Sequence, residues 1–434
     1  MTTIFSRQDG LPQVSRDLSQ QSVAAGSQGA GGGGSIGGCL VHMLKVENVS
    51  SHAAPEPGSA PNVDPNATKS QLASLATKSA TGSDALQGTL TSADAVAKLQ
   101  ESYANLKQEL AKVIVGQQGV LEELIVAVLA GGHCLIVGVP GLGKTLMVRT
   151  LAETLGLSFN RIQFTPDLMP ADITGTEVIQ EDKLSGLREL RFLHGPVFAN
   201  IVLADEINRT PPKTQAALLE AMQEHQVTIG GHRHPLPEPF FVLATQNPIE
   251  QEGTYPLPEA QRDRFLFEVR IDYPEEQEEF EIVRRTTSRK HASVQRVLDA
   301  ETLAQLQGLV RDVPVADHVI YYAMALVRAT RRAQGEVPKF VQDYVTWGAG
   351  PRASQSLILA AKGRAVLQGR DCVGISDVQA VAVPVLRHRV ITNFAAEADG
   401  ITSDEIVRRL IESIPTDPAA SHLADHLAPL IRVK

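Results

Sequence analysis

Residues 134–145 read CLIVGVPGLGKT, and this run says more about the fold of the 434-residue chain than any other. The apolar residues Cys134 to Val137 are typical of a buried strand, and the following GVPGLGKT matches the phosphate-loop pattern GxxxxGK(S/T) in full. The pattern requires glycine because the backbone must wrap closely around a phosphate, where a side chain would collide. A helix expected from about Thr145 adds its positive N-terminal end. This strand–loop–helix context disfavours the alternative, a glycine-rich turn that merely resembles a phosphate loop.

Two further apolar runs end in polar residues that suit the same chemistry. Residues 201–204 lead into Asp205 and Glu206, and residues 240–244 lead towards Asn247. Ligands bind at the carboxyl edge of parallel sheets, where Asp205 can hold Mg²⁺ and Glu206 can polarise an attacking water. By itself an acidic pair after a strand is more often a helix N-terminus, but the complete phosphate loop favours the metal-and-base interpretation. The Asn247 amide can hydrogen-bond both that water and a γ-phosphate.

The apolar pattern predicts an α/β domain followed by a small all-helical one. Five short apolar runs alternate with helical stretches, which predicts a parallel sheet with helices on both faces. After residue 274 the period is helical, with no convincing strand. The predicted strands are 134–138, 159–164, 201–204, 240–244 and 266–271, and the predicted helices after them are 280–286, 304–310, 318–331, 353–367 and 375–385.

Three segments therefore divide the chain. Residues 1–95 are rich in Gly, Ser, Ala, Gln and Pro, and we expect this extension to be disordered. Met43 lies inside it and is a conceivable alternative start. Residues 96–274 form the predicted ATPase-like α/β core, and residues 275–434 form the helical lid domain with C-terminal helices.

Composition narrows the function classes. A net charge of -9 argues against a chain-wide surface for nucleic acid. The three cysteines form no CxxC pair, which disfavours a disulfide framework or a cysteine zinc site and favours the cytoplasm. Residues 124–143 lack charged side chains over nearly the length of a membrane helix. However, Gly131, Gly132 and His133 interrupt them, so we expect a buried helix and strand and no membrane insertion.

Longer motifs resemble a known family. The runs RIQFTPDLMPADITG at 161–175, GPVFAN at 195–200 and DEINRTPPKTQAALLEAM at 205–222 are similar to the MoxR family of AAA+ ATPases. The runs EAQRDRF at 259–265 and GAGPRA at 348–353 resemble AAA+ motifs. The resemblance covers about residues 96 to 390, and it implies an AAA+ P-loop core with a helical lid.

The resemblance also implies residue roles. Lys144 and Thr145 match the Walker A motif, Asp205 and Glu206 match Walker B, and Thr145 and Asp205 are the implied Mg²⁺ ligands. The implied catalytic residues are Glu206, Asn247 as sensor 1, Arg264 as arginine finger and Arg352 as sensor 2. The implied ATP-binding residues are Val115, Gly116, Gly138, Pro140, Gly141, Leu142, Gly143, Lys144, Thr145, Leu146 and Asp205.

Two departures from the family pattern affect these roles. Gly350 stands where serine is expected, and Arg262 stands where an apolar residue is commoner. Arg262 is thus a second candidate for the finger, although Arg264 is favoured because it lies in the Asp-Arg-Phe unit.

The implied function is Mg²⁺-dependent ATP hydrolysis that remodels or matures client proteins in a chaperone-like manner. An arginine finger acts on a neighbouring subunit, so the resemblance implies a ring of identical copies, most often a hexamer. It also implies clients or adaptors with von Willebrand factor A domains, and roles in metal insertion or complex assembly. A nucleic-acid motor is disfavoured by the acidic balance, and a non-hydrolysing switch by intact Glu206, Asn247 and Arg264. A GTPase is disfavoured because no Asn-Lys-x-Asp element occurs.

Two loops are candidates for client contact. Residues 177–193, which include Leu184, resemble the family's projecting insertion, which is a hairpin or a short helix. Residues 227–236 predict a second hairpin around Gly230 and Gly231. His232 and His234 share a strand face and could suggest a metal, but without a third ligand nearby a solvated hairpin is favoured.

Overall fold

A five-stranded parallel sheet forms the centre of the computed structural model, which describes residues 92–181, 188–249, 253–288, 292–333 and 337–416. All of these belong to the unit spanning residues 86–434. The predicted start at Met43 and residues 1–91 of the predicted disordered extension lie outside the described residues, whereas residues 92–95 of that extension are helical. The strands, in chain order, are β1 Cys134–Val137, β2 Phe159–Gln163, β3 Gly175–Glu181, β4 Arg188–His194, β5 Ile201–Asp205, β6 Gln226–Ile229, β7 His232–Pro235, β8 Phe241–Gln246, β9 Phe267–Arg270, β10 Val345–Trp347 and β11 Ile391–Thr392.

The sheet has the strand order β2-β5-β8-β1-β9, with neighbouring strands parallel. Its central strands are buried on both faces, as their continuous apolar runs predict. Alternate residues serve two different cores: Leu135 packs on one face, and Cys134 and Ile136 pack on the other. The predicted P-loop core with a helical lid is confirmed.

Helices cover the sheet and build the lid. In the α/β part, the first described helix begins at Ser92, four residues before the predicted boundary at residue 96. Helices of the α/β part are Ser92–Val113, Gln118–Leu129, Lys144–Thr154, Pro170–Thr174, Pro212–Glu224 and Glu259–Arg262. Those that follow are Glu276–Thr286, Ala300–Asp312, Asp317–Ala329, Lys339–Tyr344, Pro351–Leu367, Ile375–Leu386, Phe394–Ala398 and Ser403–Ser413.

The prediction of no strand after residue 274 was wrong. Strands β10 and β11 form a small antiparallel pair in which Val345 is opposite Thr392. Each strand has only two or three residues, too few to show an alternating pattern. Their pairing depends on the lid helices bringing distant segments together.

Both candidate client-contact loops are hairpins where the chain is described, so the first takes the hairpin form and not the alternative short helix. Strands β3 and β4 pair with Ile179 opposite Leu190, while residues 182–187, including Leu184, lie outside the described ranges. Strands β6 and β7 are joined by Gly230 and Gly231, both with positive φ, as a tight two-residue turn requires.

The uncharged run at residues 124–143 also folds as predicted. It forms the end of helix Gln118–Leu129, strand β1 and the start of the phosphate loop. Within the described ranges, none of the helices combines the length and apolar character that crossing a membrane demands.

Candidate nucleotide site

The phosphate loop connects β1 to helix Lys144–Thr154 and needs glycine for two separate reasons. Gly141 and Gly143 have φ of +87° and +73°, and a Cβ at either would meet no described atom within 4 Å. Their requirement is therefore conformational. A Cβ at Gly138 would lie 2.8 Å from the carbonyl oxygen of Ile271, so its requirement is space. Together these glycines shape an open turn beside the helix N-terminus, which suits an anionic ligand.

The Lys144 ammonium lies at the base of this loop. Its Nζ donates hydrogen bonds to the carbonyl oxygens of Gly138 and Val139, at 2.7 Å each. Burial lowers the pKa of Lys144 from its usual value, and the negative charges of Asp205 and Glu206 oppose that change. The lysine and the two carboxylates therefore lie close enough to interact, as the sequence predicts.

The other predicted loop positions differ in exposure. Pro140 is exposed, Thr145 is partly buried, and Leu142 packs against the larger of the two cores. Leu146 is exposed although it is apolar.

Asp205 ends β5 and is held from two neighbouring strands. Its Oδ2 accepts hydrogen bonds from Arg161 on β2, at 2.9 Å from Nε and 2.6 Å from Nη2. Its Oδ1 accepts one from the hydroxyl of Thr245 on β8. That same hydroxyl accepts the Glu206 N–H at 2.8 Å. Thr245 thus connects both carboxylate residues to the next strand.

Glu206 adopts a left-handed backbone conformation, with φ 57° and ψ 48°. Non-glycine residues in this region cost about 1 kcal/mol or more and cluster at functional sites. Glu206 accepts side-chain hydrogen bonds from other residues than Asp205 does. Its Oε2 accepts hydrogen bonds from Gln163 Nε2 at 2.7 Å and from Arg209 Nη1 at 2.8 Å.

Asn247 follows β8 directly and is buried. Because β8 lies between β5 and β1, Asn247 comes at the same edge as Asp205 and the phosphate loop. The Gly138 N–H donates to Gln246 O at 3.3 Å, which joins the two strand ends. The Asn247 Oδ1 accepts the N–H of Ile249 at 3.2 Å, and this bond fixes the side chain.

The two candidate finger arginines have different environments. Arg262 pairs at 3.0 Å with Glu268, and both line a cleft of about 480 Å³ together with Gly138. Arg264 Nη1 donates to Leu219 O at 3.2 Å and also contacts Gln223 on helix Pro212–Glu224. Arg262 therefore belongs to the cleft of its own phosphate loop.

Arg352 and the Val115-Gly116 segment occupy less expected surroundings. Arg352 forms its ion pair with Asp263, next to Arg264, at 3.2 Å. Val115 and Gly116 line a separate cavity of about 230 Å³. The next residue, Gln117, donates to Asp272 O at 3.0 Å, and Asp272 lines the cleft beside the phosphate loop.

Comparison with known proteins agrees with this geometry. Residues 133–267 match the ATPase family associated with various cellular activities (AAA), and residues 339–410 match the AAA lid domain. Chaperone MoxR1 of Mycobacterium tuberculosis is 45% identical over 306 residues, which are 70% of this chain and 80% of that relative. The chain belongs to the MoxR family of AAA+ ATPases.

Other similar proteins extend the match. The uncharacterized protein YeaC of Bacillus subtilis is 42% identical over 71% of this chain and 92% of its own length. The crystal structure of a candidate ATPase from Cytophaga hutchinsonii has a TM-score of 0.68 and 40% identity, covering 74% of this chain and 97% of that one. Membership of the MoxR family, predicted from the motifs, is confirmed.

Sequence reasoning missed several side chains that contact the predicted MoxR-family site. Arg161 and Gln163 hold Asp205 and Glu206, and Thr245 bonds both. The first two are separated by one residue on a strand, so they share a sheet face. That spacing is the signal that could have identified them once β2 was placed beside β5.

Proposed function

We propose that this chain hydrolyses ATP with Mg²⁺ and uses the energy to remodel client proteins. One observation carries the proposal: a complete phosphate loop, Asp205, Glu206 and Asn247 meet at one edge of the parallel sheet. Membership of the MoxR family, and a relative described as a chaperone, support the remodelling role.

In this mechanism the phosphate loop binds the β- and γ-phosphates through its backbone N–H groups. Lys144 exchanges its bonds to two loop carbonyls for bonds to phosphate oxygens. The open space beside Gly141 and Gly143 suits this cradle. Thr145 and Asp205 would hold Mg²⁺, which supplies positive charge to the transferring phosphoryl group.

Glu206 accepts a proton from the attacking water. Gln163 and Arg209 both donate to its Oε2, which restricts how the carboxylate turns. Asn247 lies at the end of the adjacent strand and orients the water with its amide. Thr245 holds the backbone at Glu206, so the base and the metal ligand keep a fixed separation.

Arg264 is the residue that we assign as the trans-acting finger. Arg262 is paired with the buried Glu268 in the cleft of its own loop, and that pairing commits it within the subunit. The Arg264 guanidinium instead contacts helix Pro212–Glu224, through the Leu219 carbonyl and the Gln223 side chain. A trans-acting finger requires neighbouring copies, so we infer a ring, with six copies as the expected number. Such a finger contributes about 10³–10⁵ in kcat.

The two hairpins form the proposed client-contact surface. Ile179 and Leu190 face each other across β3 and β4, and each is 69% exposed. The hairpins also contact each other, because Phe192 stacks on His234 with ring centroids 4.0 Å apart. Clients or adaptors with von Willebrand factor A domains, and roles in metal insertion or complex assembly, are supported by the family resemblance alone.

The test of hydrolysis is the Glu206→Gln variant in a steady-state ATPase assay with Mg²⁺. We expect ATP affinity to stay within a few-fold while kcat falls by about 10²–10⁴, which is the range for a general base. Glu220→Gln, an exposed position on the next helix, is the matched control and should behave as wild type. A wild-type protein with no turnover at any protein concentration would overturn the proposal and favour a nucleotide switch.

A further inference from the structure

A buried lid arginine, Arg389, hydrogen-bonds residues 263–266, the segment that contains Arg264. Its side chain is only 2% exposed. The guanidinium donates to Asp263 Oδ1 at 2.8 Å, Asp263 O at 3.0 Å, Phe265 O at 2.7 Å and Leu266 O at 3.2 Å. Four acceptors on residues 263–266 thus share one planar group of fixed donors.

The same guanidinium is anchored in the lid. It donates to Ser356 Oγ at 3.2 Å, on helix Pro351–Leu367, and to Val385 O, on helix Ile375–Leu386. Neighbouring His388 is also buried, and its Nε2 lies 3.1 Å from Phe265 O. Burial, then the charges of Arg389 and Arg262, lower the pKa of His388 well below its usual value, so this ring stays neutral.

Arg264 is therefore held both by the lid and by helix Pro212–Glu224. Its backbone belongs to the segment that Arg389 and His388 hold, and its guanidinium lies on helix Pro212–Glu224. Arg352, a second lid arginine, pairs with the other carboxylate oxygen of Asp263. A buried charge is costly unless it is fully paired, so placing one at this joint ties the lid tightly to the segment.

We propose that Arg389 is a positioning residue that connects the lid to the arginine-finger segment, so that lid orientation sets how Arg264 reaches the neighbouring copy. The proposal rests on the proposed function. Arg352 couples the same segment to the nucleotide. If Arg352 moves to the γ-phosphate of its own site, Asp263 loses one of its two lid partners, and nucleotide occupancy in one copy alters the finger presented to the next.

Mixed rings test whether Arg389 acts in trans. Arg389→Met should lower kcat at least tenfold while ATP affinity, measured with a fluorescent nucleotide, stays within about threefold, because its own phosphate loop is intact. The Lys144→Ala variant cannot hydrolyse ATP but keeps a normal finger segment. Mixing the two should restore turnover severalfold, since Lys144→Ala copies supply fingers to Arg389→Met sites. Mixtures as inactive as Arg389→Met alone would overturn the proposal.

A parallel mixture separates this inference from the proposed function. Arg264→Ala mixed with Lys144→Ala should recover turnover if Arg264 is a trans finger. Failure of that mixture refutes the finger assignment. Recovery there, without recovery for Arg389→Met, refutes only the role of Arg389.

Further variants address folding and structural effects. If Arg389→Met does not fold, Asp263→Asn is the second variant. It keeps one side-chain acceptor and the backbone carbonyl but loses the charge and the second acceptor, and it should show the same trans defect at smaller size. Arg364→Met breaks a lid ion pair with Asp377 away from residues 263–266 and should leave kcat within about twofold of wild type. Adding Arg389→Met to Arg264→Ala should reduce kcat no further, whereas an independent structural role would add to the loss.

Discussion

The environment of His133 predicts that the free energy of unfolding falls at acid pH. His133 directly precedes β1, and its ring bonds two other elements: Nδ1 accepts the Val242 N–H at 3.0 Å, and Nε2 lies 3.1 Å from Met222 O. An accepting Nδ1 and a donating Nε2 describe a neutral ring. Protonation would place a second N–H against that of Val242. Burial accordingly lowers the pKa of His133 from 6.5 to about 4.

The size of the effect follows from this pKa. Because the unfolded chain binds the proton at higher pH than the folded chain, stability from His133 is complete above pH 6.5 and is lost as pH falls towards 4. At 1.36 kcal/mol per pKa unit, the full loss is about 3 kcal/mol, of which about 2 kcal/mol is lost by pH 5. The buried His388 contributes in the same direction.

Urea unfolding at pH 7 and pH 5 measures this contribution. His133→Gln should be less stable than wild type at pH 7, yet lose about 2 kcal/mol less free energy of unfolding between the two pH values. His318→Gln, at an exposed position on helix Asp317–Ala329, should keep the wild-type pH dependence. The reasoning is refuted if His133→Gln loses as much stability as wild type over this pH range.

Two other predictions concern the phosphate loop and the hairpins. Gly138→Ala should weaken ATP affinity roughly tenfold or more in a nucleotide titration, because the new Cβ would overpack a backbone carbonyl at a cost of about 1–3 kcal/mol. Gly119→Ala, which has open space around its Cβ, should leave ATP affinity unchanged. Equal ATP affinities of the two variants would contradict the steric argument. Replacing Ile179 and Leu190 together by serine should abolish rescue of a chemically unfolded reporter enzyme while ATPase activity persists. Val283→Ser, an exposed apolar position on helix Glu276–Thr286, should retain both activities, and undiminished rescue by the hairpin variant would exclude this surface.

Much of the fold could be predicted because its main signals are local. The strands of the sheet are continuous apolar runs, and each is bounded by turn or helix signals within a few residues. The phosphate loop is equally local, since eight consecutive residues supply the glycines, the lysine and the hydroxyl. The pair β10 and β11 was missed because such short strands have no period to detect and exist only through each other.

Contacts between distant residues required the folded chain. Thr245 bonds Asp205 across 40 positions of sequence, and Arg389 bonds Asp263 across 126. No sequence motif around Thr245 or Arg389 identifies the residue that it contacts. The amino-acid sequence alone predicted the sheet, the phosphate loop and the family, because hydrophobic periodicity and loop chemistry depend on residues that are neighbours in sequence. Only the folded chain showed that Arg262 is paired within its own cleft and that Arg389 in the lid holds Asp263. These contacts depend on how strand ends and lid helices meet in space, and a sequence pattern does not contain that information.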